Sequence, residues 1–179
     1  MKGGEEMRKK YLVLLVCSAV LASILLSPTL IAEGAFEGRY HNRGKCGEVL
    51  RASGEWTYVL VGKDTRSYEG YTFILGEETG TWTGTFTGTS QDYFQAVMQP
   101  SGVVYLSYGL IFFEGTVEGR SGTLVISFAP GEKVEGVWSG KWEILSGTGE
   151  LDNLRGRGKW WGPSMDLDYK GKIYFIDDD

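Results

Sequence analysis

From Trp56 to Phe175 the chain alternates with a period of two, and this limits its fold more than any other feature. In Thr81-Trp82-Thr83-Gly84-Thr85-Phe86-Thr87-Gly88-Thr89 every odd position is threonine, and the even positions are aromatic or glycine. Near the end, Leu167, Tyr169, Gly171, Ile173 and Phe175 share one parity. Asp166, Asp168, Lys170, Lys172 and Tyr174 share the other. Leu124, Ile126 and Phe128 alternate with Thr123, Val125 and Ser127 in the same way. Successive side chains of an extended strand point to opposite faces, so these runs have one face for a core and one for water. No sustained helical spacing follows the N-terminal segment.

Further strands are expected at Trp56–Val61, Tyr71–Leu75, Tyr93–Gln99, Val103–Tyr108, Leu110–Val117, Val137–Leu145 and Gly158–Trp161. Turn chemistry separates them at Gly62-Lys63-Asp64, Glu77-Glu78-Thr79-Gly80, Gln99-Pro100-Ser101-Gly102, Gly119-Arg120-Ser121-Gly122, Pro130-Gly131-Glu132-Lys133 and Gly162-Pro163-Ser164. Short strands joined by hairpin-sized turns leave no room for the crossover helices of a parallel sheet. The pattern predicts an all-β fold, a single antiparallel barrel of about eight strands. Closure is favoured because it removes strand edges that this sequence does little else to protect. Phe36–Leu50 reads as an opening strand and a loop. Gly80-x-Trp82-x-Gly84-x-Phe86 recurs as Gly136-x-Trp138-x-Gly140-x-Trp142, either as equivalent strands or as coincidence in a chain rich in glycine and tryptophan. Glycine between aromatics on one face leaves room for a ring to lie over bare backbone.

The N-terminus has a different character. Arg8-Lys9-Lys10 precedes an apolar run from Tyr11 to Leu26, followed by Ser27-Pro28 and an exit of small residues near Ala32-Glu33-Gly34. That order is the one found in export signals, with an uncleaved anchor as the alternative. The expected organisation is therefore a leader over residues 1–34 and one domain over 35–179, exported to the periplasm, the cell surface or the medium. A net charge of −5 disfavours nucleic acid as a partner. Membrane contact is expected only through the leader, and oligomerisation stays open. Of two cysteines, Cys17 lies in the leader and Cys46 outside it, which leaves no intrachain disulfide in the mature domain.

The second half carries a recognisable order of motifs: Glu114-Gly115-Thr116-Val117-Glu118-Gly119-Arg120-Ser121-Gly122-Thr123-Leu124, then Trp142 to Leu151 containing Ser146-Gly147-Thr148-Gly149-Glu150-Leu151, then Leu154-Arg155-Gly156. From about Trp82 to Phe175 this resembles an uncharacterised family of small prokaryotic proteins that groups with the allene oxide cyclase-like and dirigent-like barrels. It departs from that family in lacking a glycine before Ser146 and in having Asp152 and Asn153 where relatives have small residues. The resemblance implies an antiparallel barrel whose cousins act on small hydrophobic molecules, without a cofactor in the cyclases. It transfers no catalytic residue. Structurally, Gly119 and Gly122 are expected to bracket a hairpin, Gly147 and Gly149 to take conformations closed to other residues, and Asn153 to occupy a left-handed position before Gly156.

Chemistry is sparse. His41 is the only histidine and is expected to be a solvated loop residue, so triads and zinc sites lack their parts. No cofactor or metal is expected. Asp177-Asp178-Asp179 reads as a frayed acidic tail. Glu114, Glu118 and Glu143 are the carboxylates to test for acid–base work in an apolar lumen, although charged strand residues more often face water. Trp82, Trp142, Trp160 and Trp161 are the aromatic candidates for a ligand. Because Trp160 and Trp161 are adjacent, one of them must face outward. Three functions are compatible with this: an exported barrel binding a small apolar or amphipathic molecule in its lumen, a cofactor-free cyclase or isomerase, and an interaction barrel with a filled core.

Overall fold

The computed structural model describes residues 47–176, all within the compact unit Asn42–Asp179. The leader, His41, Cys46 and the acidic tail lie outside the described residues. Nine strands form: β1 (Leu50–Tyr68), β2 (Tyr71–Gly84), β3 (Phe86–Met98), β4 (Val104–Val117), β5 (Arg120–Ser127), β6 (Gly131–Val134), β7 (Val137–Gly149), β8 (Leu154–Pro163) and β9 (Asp166–Phe175). All pairings are antiparallel. The order β3-β2-β1-β9-β8-β7-β5-β4 returns to β3 through a β3–β4 ladder, giving a barrel-like ring. The short β6 accounts for the extra strand. It bridges β4 and β7 beyond the end of β5, where a turn was expected at Pro130–Lys133.

The alternation sets the two faces, but several breaks fall elsewhere than expected. Thr81–Thr89 is not one strand. It folds into a hairpin around Gly84-Thr85, with Trp82 opposite Gly88 and Gly84 at φ +92°. The two Gly-x-Trp segments are therefore not equivalent, because in the second Gly136 is a turn residue and Trp138 to Trp142 run unbroken through β7. Glu77–Gly80 lies inside β2 rather than in a turn, and Gly62–Asp64 lies inside β1. Val103–Tyr108 and Leu110–Val117 merge into β4, where Gly109 leaves space for the Phe128 ring. The register slips between Leu60 and Gly62, with Val61 as the extra residue. Such a bulge exchanges the faces of every residue beyond it.

Inside the ring the core is aromatic. Trp56 stacks on Trp82 with centroids 5.1 Å apart and planes 9° from parallel. Phe86 meets Phe113 and Trp142 edge to face. The Tyr169 hydroxyl accepts from Phe86 N at 2.9 Å and donates to Thr83 O at 3.0 Å, so its burial leaves no polar group unpaired. The Trp160 indole N–H donates to Phe128 O and Lys141 O, both at 3.0 Å. Each ring so buried contributes roughly 1.5–3 kcal/mol by removal of apolar surface from water. Past Thr57, β1 pairs with β2 alone, so the β1–β2 end of the sheet projects there, while the start of β4 is held by β6. The outer face of β2–β4 carries Phe73, Leu75, Tyr93, Tyr105, Tyr108 and Phe112, each 40–52% exposed.

Candidate functional site

Where the projecting strands leave the ring, the aromatic packing stops short and leaves a cavity of about 30 Å³. Trp56 and Tyr58 of β1, Phe94 of β3, Trp138 of β7 and Trp160 of β8 form its aromatic wall. Leu106, Phe128 and Leu167 complete the apolar lining, and Glu78 is the one carboxylate in it. Large side chains of the buried cluster pack much of the rest of the ring interior. A lumen able to enclose a whole hydrophobic molecule would need roughly 300 Å³ or more.

The backbone explains how Glu78 comes to be inside. On β2 it shares parity with Ile74, Gly76, Gly80 and Trp82, the inward face, and it lies opposite Asp92 on β3. Glu78 is 6% exposed and Asp92 fully buried. Among the described residues no Lys or Arg pairs with either, and neither oxygen of Asp92 has a hydrogen-bond partner. Gly80 makes room here, since a Cβ would stand 2.4 Å from Ser90 Oγ and 2.5 Å from Trp56 Nε1. Ser90 Oγ accepts from Trp82 Nε1 at 3.0 Å. The Ser90 hydroxyl and the Trp56 indole lie close enough to Asp92 to favour its ionised form, but without hydrogen-bond geometry, so the indole N–H of Trp56 is also unpartnered.

Burial penalises the charged form of both acids. Desolvation, and then the neighbouring Asp92, push Glu78 up to about 8. Desolvation pushes Asp92 up to about 7 against the opposing pull of Ser90 and Trp56. The pair therefore holds protons at neutral pH. It can donate a hydrogen bond, exchange a proton, or become anionic when a cation arrives.

The residues singled out in the sequence fall differently. Glu114, Glu118 and Glu143 are all exposed and point away from the interior, because each stands on the outward parity of its strand or in a turn. They take the solvated setting usual for charged strand residues, and the carboxylate that the fold places at the cavity is Glu78. Of the four tryptophans, Trp160 lines the cavity, Trp82 and Trp142 are sealed in the core, and Trp161 is the outward member of its pair at 39% exposure. Trp56, at the centre of the site, was read only as the start of a strand.

The glycine and asparagine expectations also divide. The hairpin turns on Glu118-Gly119, both at positive φ, while Gly122 lies within β5 facing Gly149. Gly149 has φ +65°, but Gly147 and Gly156 are kept small by the neighbouring Leu151 carbonyl and Ile173 side chain. Asn153 is not left-handed. Its carbonyl accepts from Ile176 N at 3.0 Å.

Residues 47–166 match the family described as "Protein of unknown function (DUF3224)". The chain belongs to the DUF3224 family. The matched region contains every residue of the cavity except Leu167. A DUF3224 protein of unknown function from Shewanella oneidensis MR-1 is similar in structure, with a TM-score of 0.63 and 19% identity over 73% of this chain and 100% of that one. The likeness establishes a shared fold. Two pterocarpan synthase dirigent proteins are more distant. One has a TM-score of 0.47 and 14% identity over 85% of this chain and 96% of its own. The other has 0.45 and 13% over 73% and 97%. No curated protein matches the sequence.

Proposed function

We propose that this DUF3224 member is an exported binding protein that takes up one end of a small amphipathic molecule at the mouth of its ring. The observation that carries this reading is the aromatic cavity with a single carboxylate in its wall. An empty apolar space beside an ionisable group is costly to keep unless something fills it. The cavity's size limits what enters to a few heavy atoms, so the ligand is held by its head rather than enclosed. Ile74 and Val104, which pack against the core beyond the cavity, continue the apolar surface for its tail.

Native mass spectrometry of protein recovered from an expressing host tests this. The expected result is an added small-molecule mass that disappears on denaturation. The denatured mass also reads the N-terminus and so checks export with cleavage. Identical native and denatured masses after incubation with lipid extracts would count against binding. They would favour a second reading, an interaction protein with a filled interior, for which the exposed Phe73, Tyr105, Tyr108 and Phe112 on the outer face speak. A cyclase or isomerase would now rest on Glu78 rather than on the three exposed glutamates.

A further inference from the structure

A cavity this small selects its occupant by charge and hydrogen bonding more than by shape. Three features of the cavity and what lies directly behind it agree on what that occupant is. The first is an excess of acceptors. Glu78 and Asp92 lie opposite one another on β2 and β3, and no basic side chain among the described residues answers them. Both oxygens of Asp92 lack a donor. Of the two, Glu78 is the one presented to the cavity, and an N–H-bearing cation beside it relieves the buried acidic pair most.

The second is the aromatic wall. Trp56 and Tyr58 are tilted toward each other with centroids 5.7 Å apart, and Trp138 and Trp160 are 6.4 Å apart at 49°. Aromatic rings attract cations, whereas an anion would meet these rings and the Glu78 carboxylate. The third is size. About 30 Å³ suits a small end group such as methylammonium better than a bulky quaternary ammonium.

We infer that the cavity recognises a primary alkylammonium group, seated on Glu78, which Asp92 backs from the sealed interior, with its methylene stem against Trp56, Tyr58 and Trp138. This rests on the binding function proposed above and names the ligand's head group.

Proton linkage follows. The titratable groups facing Glu78 are Tyr58 from β1 and Asp92 from β3. β4, β7, β8, β9 and the segment after β5 present only Leu106, Trp138, Trp160, Leu167 and Phe128. A cation arriving beside this pair therefore displaces a proton to solvent at neutral pH, and affinity rises with pH from about 6 to about 8.

The test is isothermal titration of the purified protein with octylammonium, 1-octanol and octanoate, each below its aggregation concentration. The expected result is octylammonium binding at least about tenfold tighter than octanol, a difference of about 1.4 kcal/mol. Octanoate should not bind, and proton release should appear as a dependence of the heat on the buffer's ionisation enthalpy. Glu78→Gln should abolish both the preference and the proton release while leaving octanol binding in place. The wild-type proton count needs no variant and stands if Glu78→Gln folds poorly. Equal affinity for octylammonium and octanol, or octylammonium binding without proton release, would overturn the ammonium assignment and leave the binding function standing. No binding by any of the three would remove both.

Discussion

At the scale of single residues, two buried acids depart from the ordinary rule that strand carboxylates face water. Their raised pKa values make stability pH-dependent with a definite sign. From their ordinary values of 4.5 and 3.8 the folded chain raises Glu78 to about 8 and Asp92 to about 7. The folded state thus holds protons that the unfolded state has released, and the stability present below about pH 4 falls as pH rises toward 8. Thermal unfolding followed by circular dichroism should show Tm declining across that window. Glu78→Gln should flatten the decline and raise stability at pH 8 by about 1–2 kcal/mol, the scale of one pKa unit. A wild-type Tm that rises steadily from pH 4 to 8 would contradict the burial described here.

Gly80 is the other decisive residue, because Trp56 and Ser90 occupy the space its side chain would need. Gly80→Ala is expected to cost roughly 1–3 kcal/mol by overpacking, measured by urea unfolding with an unchanged m-value. Glu78 was legible in principle. Counting parity back from Trp82 places it on the inward face. The signal was hidden because Glu77-Glu78-Thr79-Gly80 has the composition of a turn, and local composition carries no record of the Trp56 ring that needs Gly80 bare.

At the scale of elements, the hairpins were read more accurately than the bulges. The β4–β5 turn at Glu118-Gly119 has both residues at positive φ, the geometry of a two-residue hairpin loop. Nothing lies within 4 Å of a Cβ at Gly119, so its requirement is purely conformational. Gly119→Ala should destabilise by about 1 kcal/mol, and Glu118→Asn should stabilise by a few tenths, since asparagine tolerates the left-handed region better than glutamate. Chemical denaturation of the two variants checks both signs. Glu118→Gln should leave ligand binding unchanged, because the side chain lies outside the ring. The merged β4 and the inserted β6 escaped the sequence because Gly109 and Pro130-Gly131 read as breaks. In the fold, Gly109 lies under Phe128, while Gly131 sits beside Trp160 and pairs with Leu106 and Gly140.

At the scale of the whole molecule, stability is uneven. The closed part of the ring carries the aromatic core, whereas β1 beyond Thr57 has a neighbour on one side only. Amide hydrogen exchange should be slowest around Trp56, Phe86, Phe113 and Ile173. It should be markedly faster at Thr65–Tyr68 and Tyr71–Phe73, where few buried contacts back the ladder. Uniform protection across β1 would show that the projection is as firmly held as the ring. The cavity lies at the junction of these regions, so the head group of the proposed ligand would meet the rigid part and its tail the looser one.

The sequence by itself determined the fold class, the antiparallel pairing and which faces turn inward, because a period of two is a local property of the chain. It also determined the family, through an ordered run of glycine-based motifs whose roles are mostly steric. Closure of the ring, the bulge at Val61 and the filling of the interior were decided only in three dimensions. So was the meeting of Glu78 with Asp92. Those two acids sit on different strands, and their proximity depends on a hairpin register that the aromatic core fixes after the strands have formed.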